Sequence, residues 1–167
     1  EGEKIDILIN NAGIGYHHPI DKVNYDEWQK GWDHIIKTNL IAPSNMCYHA
    51  VHGMIKNGGG KIINVSSRGA FKGEPEQPAY GSSKAGLNSL TQSLAYQLAP
   101  HNIFVGAVAP GFVETEMSRS RLEGIVGKAI AAQSPMNRVA QPEEVAEAIY
   151  LMASGNIWMT GAIIDVN

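Results

Sequence analysis

Two side chains four residues apart, Tyr80 and Lys84, carry the strongest chemical possibility in this sequence. The segment Tyr80-Gly81-Ser82-Ser83-Lys84 reads as the opening of a helix, and residues at that spacing share one helix face. Leu87, Leu90, Leu94 and Leu98 continue the face. Lys84 is therefore expected on a buried stripe, where lysine almost never sits without a partner. The chemistry such a pair supports is proton transfer. A phenol with a pKa near ~10 is a poor acid or base at neutral pH, and a fixed ammonium beside it favours the phenolate. Ser67 follows the apolar run Ile62-Ile63-Asn64-Val65-Ser66 and is placed to donate a hydrogen bond to a substrate oxygen. The same spacing also describes a lysine snorkelling past a core tyrosine, so other stretches have to decide.

The elements that would hold these residues follow from the apolar pattern. Short β-branched runs at Ile5–Ile9, Ile62–Val65, Ile103–Ala109 and Ala162–Val166 suit parallel strands buried on both faces. Helical stretches separate them. One opens with Asn24-x-x-Glu27, a capping box, and runs through Trp28, Trp32, Ile35 and Ile36. The pattern continues past Asn39 to Met54, redirected at Pro43, and stops at Gly58-Gly59-Gly60. The Tyr80 helix ends at Pro100, and a last helix starts at Gln141-Pro142-Glu143-Glu144 with Val145, Ile149 and Met152 as its apolar positions. Residues 112–135 read as a polar flap. The order β-α-β-α-β-α-β predicts an α/β protein: one domain over residues 1–167, a Rossmann-like, doubly wound parallel sheet with helices on both faces. Ligands in such sheets sit beyond the carboxyl ends of the strands. Asn11, Ser67 and Pro110-Gly111 all fall on that rim.

Bulk properties narrow the partners. A net charge of −3 without a Lys/Arg cluster leaves no electrostatic footprint for nucleic acid. No apolar run reaches the ~18 residues that span a bilayer. Cys47 is the single cysteine, which excludes an internal disulfide and favours a reducing, cytoplasmic setting. His17, His18, His49 and His52 lack a completing carboxylate or thiolate at metal-ligand spacing, so no metal is expected. His18 is expected at the border of the substrate pocket instead. Glu114, Glu116, Arg119 and Arg121 are read as flap charges, either solvated or touching substrate.

Taken together, the motifs resemble the short-chain dehydrogenase/reductase family, over nearly the whole chain. Asn10-Asn11-Ala12-Gly13 is similar to its NNAG turn. Asn39, Ser67, Tyr80 and Lys84 are similar to its catalytic tetrad, and Pro110-Gly111 followed by Thr115 to its PGxxxT segment. The resemblance implies an NAD(P)-dependent oxidoreductase that interconverts a secondary alcohol and a ketone on a small molecule. Tyr80 would be the general acid/base, Lys84 would lower its pKa and hold the nicotinamide ribose, and Ser67 would orient the substrate. Asn39 would hold a water that links Lys84 to solvent. Asn11, Ala12 and Gly13 would line the adenosine end of NAD or NADP, and Pro110, Gly111, Val113 and Thr115 its carboxamide. The Pro110–Met117 and Arg138–Val145 stretches look closest to 3-oxoacyl-carrier-protein reductases and related sugar or polyol dehydrogenases. Family members form dimers or tetramers, and a small-residue face, Ser82, Gly86, Ser89 and Ser93, offers a contact for a twin helix.

The departures matter as much. The family's glycine-rich TGxxxGxG phosphate turn is not in this sequence. Against the family pattern the first strand here is the fourth, so roughly 75 residues, nearly three ~30-residue strand–helix units, are missing. The expectation is an N-terminally truncated member that binds the cofactor poorly alone and exposes Ile5–Ile9 as an apolar sheet edge. Phe104 and Gly106 replace the usual Arg and Asn. Two rival readings remain: an isomerase or epimerase that shares the Tyr/Lys pair, and an inactive fragment that serves binding or assembly.

Overall fold

The computed structural model describes residues 4–116, 118, 122–155 and 158–167. Arg119 and Arg121, singled out above as flap charges, lie outside the described residues. Four strands form: β1 (Ile7–Asn10), β2 (Gly60–Val65), β3 (Ile103–Pro110) and β4 (Ile163–Val166). They pair in chain order, all parallel. Successive side chains of a strand point to opposite faces, and here both faces of the central strands are covered. On one, α2 (Ala42–Lys56) and α3 (Pro78–Leu98) bury Cys47, Ala50, Met54, Ala95 and Leu98 against Ile62, Ile103 and Val105. On the other, after the short helix α4 (Gly124–Ala131), α5 (Pro142–Ser154) buries Val145 and Met152 against Ile63 and Val108. This is the expected Rossmann-like α/β architecture. None of the described helices is long and apolar enough to cross a membrane.

β1 is an edge strand, and its Ile7 and Ile9, with Ile5 just before it, are 44–45 % exposed. The expected apolar edge is therefore present. The strand also takes in Asn10, which sequence reading places in the turn. Asn10 pairs in register with Asn64, and its amide donates to the Asn64 side chain at 2.8 Å. Asn64 donates in turn to Thr91 of α3 at 2.9 Å, and Thr91 to the Leu87 carbonyl. Buried amides need partners, and this relay supplies them while joining β1, β2 and α3.

Two helix details bear on the site. Asn24 and Glu27 form the expected capping box at the start of α1 (Tyr25–Ile36). Between α1 and α2 lies a π-helical turn, Lys37–Ile41. Pro43 has no N–H to give the Asn39 carbonyl, and its ring crowds that turn. The chain widens instead, with Ala42 N–H donating to Lys37 five residues back. Single π turns of this kind concentrate at functional sites.

The stripe of α3 differs from the expectation. Ser83, Lys84, Leu87, Asn88, Thr91, Ala95 and Leu98 are buried, whereas Leu90 and Leu94 are only half-buried at the flank. The buried polar groups at 83, 84, 88 and 91 turn the helix away from its most apolar orientation. Ser82, Ser89 and Ser93 are exposed as a small face requires. Gly86 does not belong to it: a side chain there would meet Leu40 at 2.9 Å, so its space belongs to the π turn of the same chain. The two departures in β3 explain each other. A Cβ at Gly106 would lie 2.9 Å from the Phe104 ring and 3.2 Å from Met152, so the glycine makes room for the phenylalanine under α5.

Candidate active site

The loops after β1, β2 and β3 converge on one cleft of about 420 Å³ at the carboxyl ends of the strands. Asn11 and Gly13 enter from the first loop, Ser67 from the second, Pro110, Gly111, Val113 and Thr115 from the third, and Tyr80 and Lys84 from α3. The expected site residues are thus brought together, with two exceptions. Ala12 is exposed and is not part of the cleft wall. Asn39 is fully buried behind it.

Ser67 caps the 3-10 turn Arg68–Ala70, its hydroxyl oxygen accepting from Gly69 N–H at 3.0 Å. The hydroxyl also stands within hydrogen-bond reach of the Tyr80 phenol, so its proton can serve an oxygen placed between the two. Lys84 is 4 % exposed and its ammonium donates to the Val65 carbonyl at 2.8 Å. It also lies over the Tyr80 ring, 5.9 Å from the centroid. Burial lowers the Lys84 pKa to about 8.

Tyr80 corrects an expectation. Its pKa is raised, not lowered: burial opposes the phenolate most, the Ser67 hydroxyl nearby works the other way, and the Glu74 carboxylate adds to the rise. Lys84 is not among the causes. Desolvation of the phenolate is the largest of these influences.

Asn39 is a positioning residue. Its side chain accepts from Ile14 N–H at 2.8 Å and donates to the Ile14 carbonyl at 2.8 Å and to Ser83 Oγ at 3.1 Å. Ser83 donates onward to the Tyr80 carbonyl at 2.7 Å. The loop that carries Asn11 and Gly13 is thereby fixed to the first turn of α3. A second tie joins the same loops, with His17 paired to Glu76 at 3.1 Å and His18 N–H donating to Glu76 O. His18 itself is 2 % exposed, packed on Gly31 of α1, and does not border the cleft.

Ser118 was missed. It bonds both Val113 O at 2.6 Å and Thr115 N–H at 2.9 Å, closing the PGxxxT segment into a turn. Asn64 and Thr91 were missed too, hidden inside an apolar run and a helix. Among the described residues no three His, Cys, Asp or Glu side chains gather to hold a metal. His49 and His52 instead pack their rings on Tyr48.

Known proteins match this arrangement throughout. The family model described as enoyl-(acyl carrier protein) reductase covers residues 1–167. The chain belongs to this short-chain dehydrogenase/reductase family. It is 40 % identical over 164 residues to a 3-oxoacyl-[acyl-carrier-protein] reductase of Aquifex aeolicus, spanning 98 % of this chain and 64 % of that one. An acetoacetyl-CoA reductase of Rhizobium meliloti is 37 % identical over 164 residues, spanning 98 % of this chain and 66 % of that protein. Among solved structures, a protein of Beutenbergia cavernae assigned as an NAD(P)-dependent gluconate 5-dehydrogenase, with NADP at low occupancy, superposes with a TM-score of 0.88. It is 29 % identical, and the match covers 99 % of this chain and 66 % of that one. An Agrobacterium tumefaciens protein assigned as a 2-deoxy-D-gluconate 3-dehydrogenase, with bound NADP, gives a TM-score of 0.87 at 30 % identity over 97 % and 65 % of the two chains. The chain therefore spans about two thirds of the length of these family members.

Proposed function

We propose that the protein is an oxidoreductase that interconverts a secondary alcohol and a ketone with NAD or NADP. The observation that carries the reading is the convergence of Ser67, Tyr80 and Lys84 on one cleft beside the Gly111–Thr115 turn. The nicotinamide fits the residues present. A side chain at Gly13 would meet Lys84 Nζ at 3.2 Å and one at Gly15 the Tyr80 ring at 2.9 Å, so the glycines keep open the space beside both groups. Asn11 and Gly13 would hold the adenosine side, Lys84 the ribose, and Pro110, Gly111, Val113 and Thr115 the carboxamide. When bound, the cofactor supplies or accepts the hydride.

The chain's own residues do the rest. Ser67 donates to the substrate oxygen and holds it toward the phenol. Tyr80 carries its proton at neutral pH, as a phenol does, and burial holds it there more firmly; it donates that proton to the oxygen as a ketone becomes an alcohol and takes it back in reverse. Lys84 is anchored to β2 and presents a partly titrating ammonium next to the phenol. Substrate is a small carbonyl or alcohol compound, the setting is cytoplasmic, and the exposed Ser82, Ser89 and Ser93 face pairs with its twin in a homo-oligomer.

The test is reduced-nicotinamide absorbance with a panel of ketones and alcohols, using the intact protein and its Tyr80→Phe variant. Turnover by the first and not the second supports the reading. Ketone-dependent turnover that survives Tyr80→Phe would remove it.

A further inference from the structure

Among the apolar side chains that line the cleft, Ile14, Phe112 and Val113 included, stand the charged or polar Arg68, Glu74 and Gln77; their placement bears on substrate class and rests on the oxidoreductase reading above. Glu74 and Gln77 flank the Tyr80 ring on its two edges. A Cβ built on Gly69 would lie 3.2 Å from Glu74 Oε1 and 3.4 Å from Tyr80 Cε1, and one built on Gly15 would lie 3.0 Å from Gln77 Oε1 and 2.9 Å from Tyr80 Cδ2. Two glycines thus let a carboxylate and an amide approach the ring from either side. Arg68, the residue after Ser67, closes the far wall. It is half-buried, its guanidinium lies 5.0 Å over the Phe112 ring, and its Nη2 donates to Gln133 at 3.1 Å. Among the described residues neither Arg68 nor Glu74 has an ion-pair partner.

A guanidinium held flat on an aromatic ring is a preorganised fork for a carboxylate. An unpaired carboxylate and an amide oxygen accept from hydroxyls. An apolar acyl chain laid across the same wall would desolvate all three without repaying them. We propose that the substrate is a small polyhydroxylated acid, its carboxylate on Arg68 and its hydroxyls on Glu74 and Gln77, with the reacting carbon between Ser67 and Tyr80. Arg68 is then the specificity-determining residue.

The experiment compares 5-keto-D-gluconate, neutral D-fructose and acetoacetyl-CoA as oxidants of NADPH and NADH, with the intact protein, Arg68→Met and Arg68→Lys. Saturation-transfer NMR with D-gluconate reads binding apart from turnover. The expected result is preferred reduction of the keto acid. Arg68→Met should raise its KM about 10- to 100-fold, the worth of a charged hydrogen bond, with kcat little changed, and Arg68→Lys should recover part of the loss. Equal or better use of fructose or the thioester, with Arg68→Met leaving the ratios unmoved, overturns the substrate class and keeps the oxidoreductase. Gluconate binding that depends on Arg68, without turnover of any compound although saturation transfer shows NADPH or NADH bound, keeps the acid site and removes the oxidoreductase. Neither binding nor turnover removes both.

Discussion

The Lys84 ammonium lies 5.9 Å from the centroid of the Tyr80 ring while donating to the Val65 carbonyl at 2.8 Å. Lys84 is thus anchored to β2, and among the described residues no hydrogen bond joins it to the phenol. Lysine and tyrosine therefore titrate under separate influences, and their pH signatures can be told apart.

For Lys84 the signature is in stability. Its pKa falls from 10.5 unfolded to about 8 folded through burial. Between those values the unfolded chain binds the extra proton, so stability rises with pH across that window. The full rise is about 3 kcal/mol from this group. Above ~10 the raised Tyr80 pKa opposes it, because the native state then holds the extra proton. Chemical denaturation of wild type and Lys84→Met at pH 7 and 9.5 should show the rise only in wild type. An equal slope in both would mean that burial of this ammonium does not govern the titration.

For Tyr80 the signature is in direction of turnover. A phenol protonated at neutral pH is ready to donate, so ketone reduction should be insensitive to pH near 7, while alcohol oxidation should climb toward alkaline pH. Tyr80→Phe should lower both by about 10²- to 10⁴-fold with unchanged circular dichroism, since the structure gives its hydroxyl no part in the helix. Loss of the fold in Tyr80→Phe would point to a structural phenol.

What the sequence revealed and what it hid divide along physical lines. The four strands were legible because β2 and β3 are apolar on both faces, and the cap at Asn24 because capping is local chemistry; the capping box of Gln141 and Glu144 was read only as a helix start. Asn11, Ser67, Tyr80 and Gly111 were legible because each follows a strand or opens a helix. The Asn10–Asn64–Thr91 relay was not, since its partners stand 54 and 27 residues apart and only register unites them. Nor was the sign of the Tyr80 shift, because burial is a property of the assembled cleft.

Asn39 tests how far positioning matters. Asn39→Ala removes three hydrogen bonds and strands both backbone groups of Ile14. With ~1–3 kcal/mol for each buried group left unpaired, the loss of stability should be about 2–4 kcal/mol. Dinucleotide affinity should fall with it, because the loop that bears Asn11 and Gly13 loses its tie to α3. Thermal unfolding and cofactor titration check the two together. A variant that is destabilised but binds cofactor normally would separate the loop from the site.

Gly106 is the sharpest test of packing on the α5 face. A methyl there meets the Phe104 ring at 2.9 Å and Met152 at 3.2 Å, in a layer where Met152 is fully buried. Overpacking a filled core costs roughly 1–3 kcal/mol, and the Phe104 ring is the group that has to yield. Gly106→Ala should destabilise by that amount, and adding Phe104→Leu should return part of it, because the shorter side chain vacates the position the methyl takes. Residues in direct contact are non-additive in this way. Urea midpoints for the two single variants and the double variant measure the coupling. Strict additivity would show that the two departures of β3 are independent of one another, and that the glycine answers to Met152 alone.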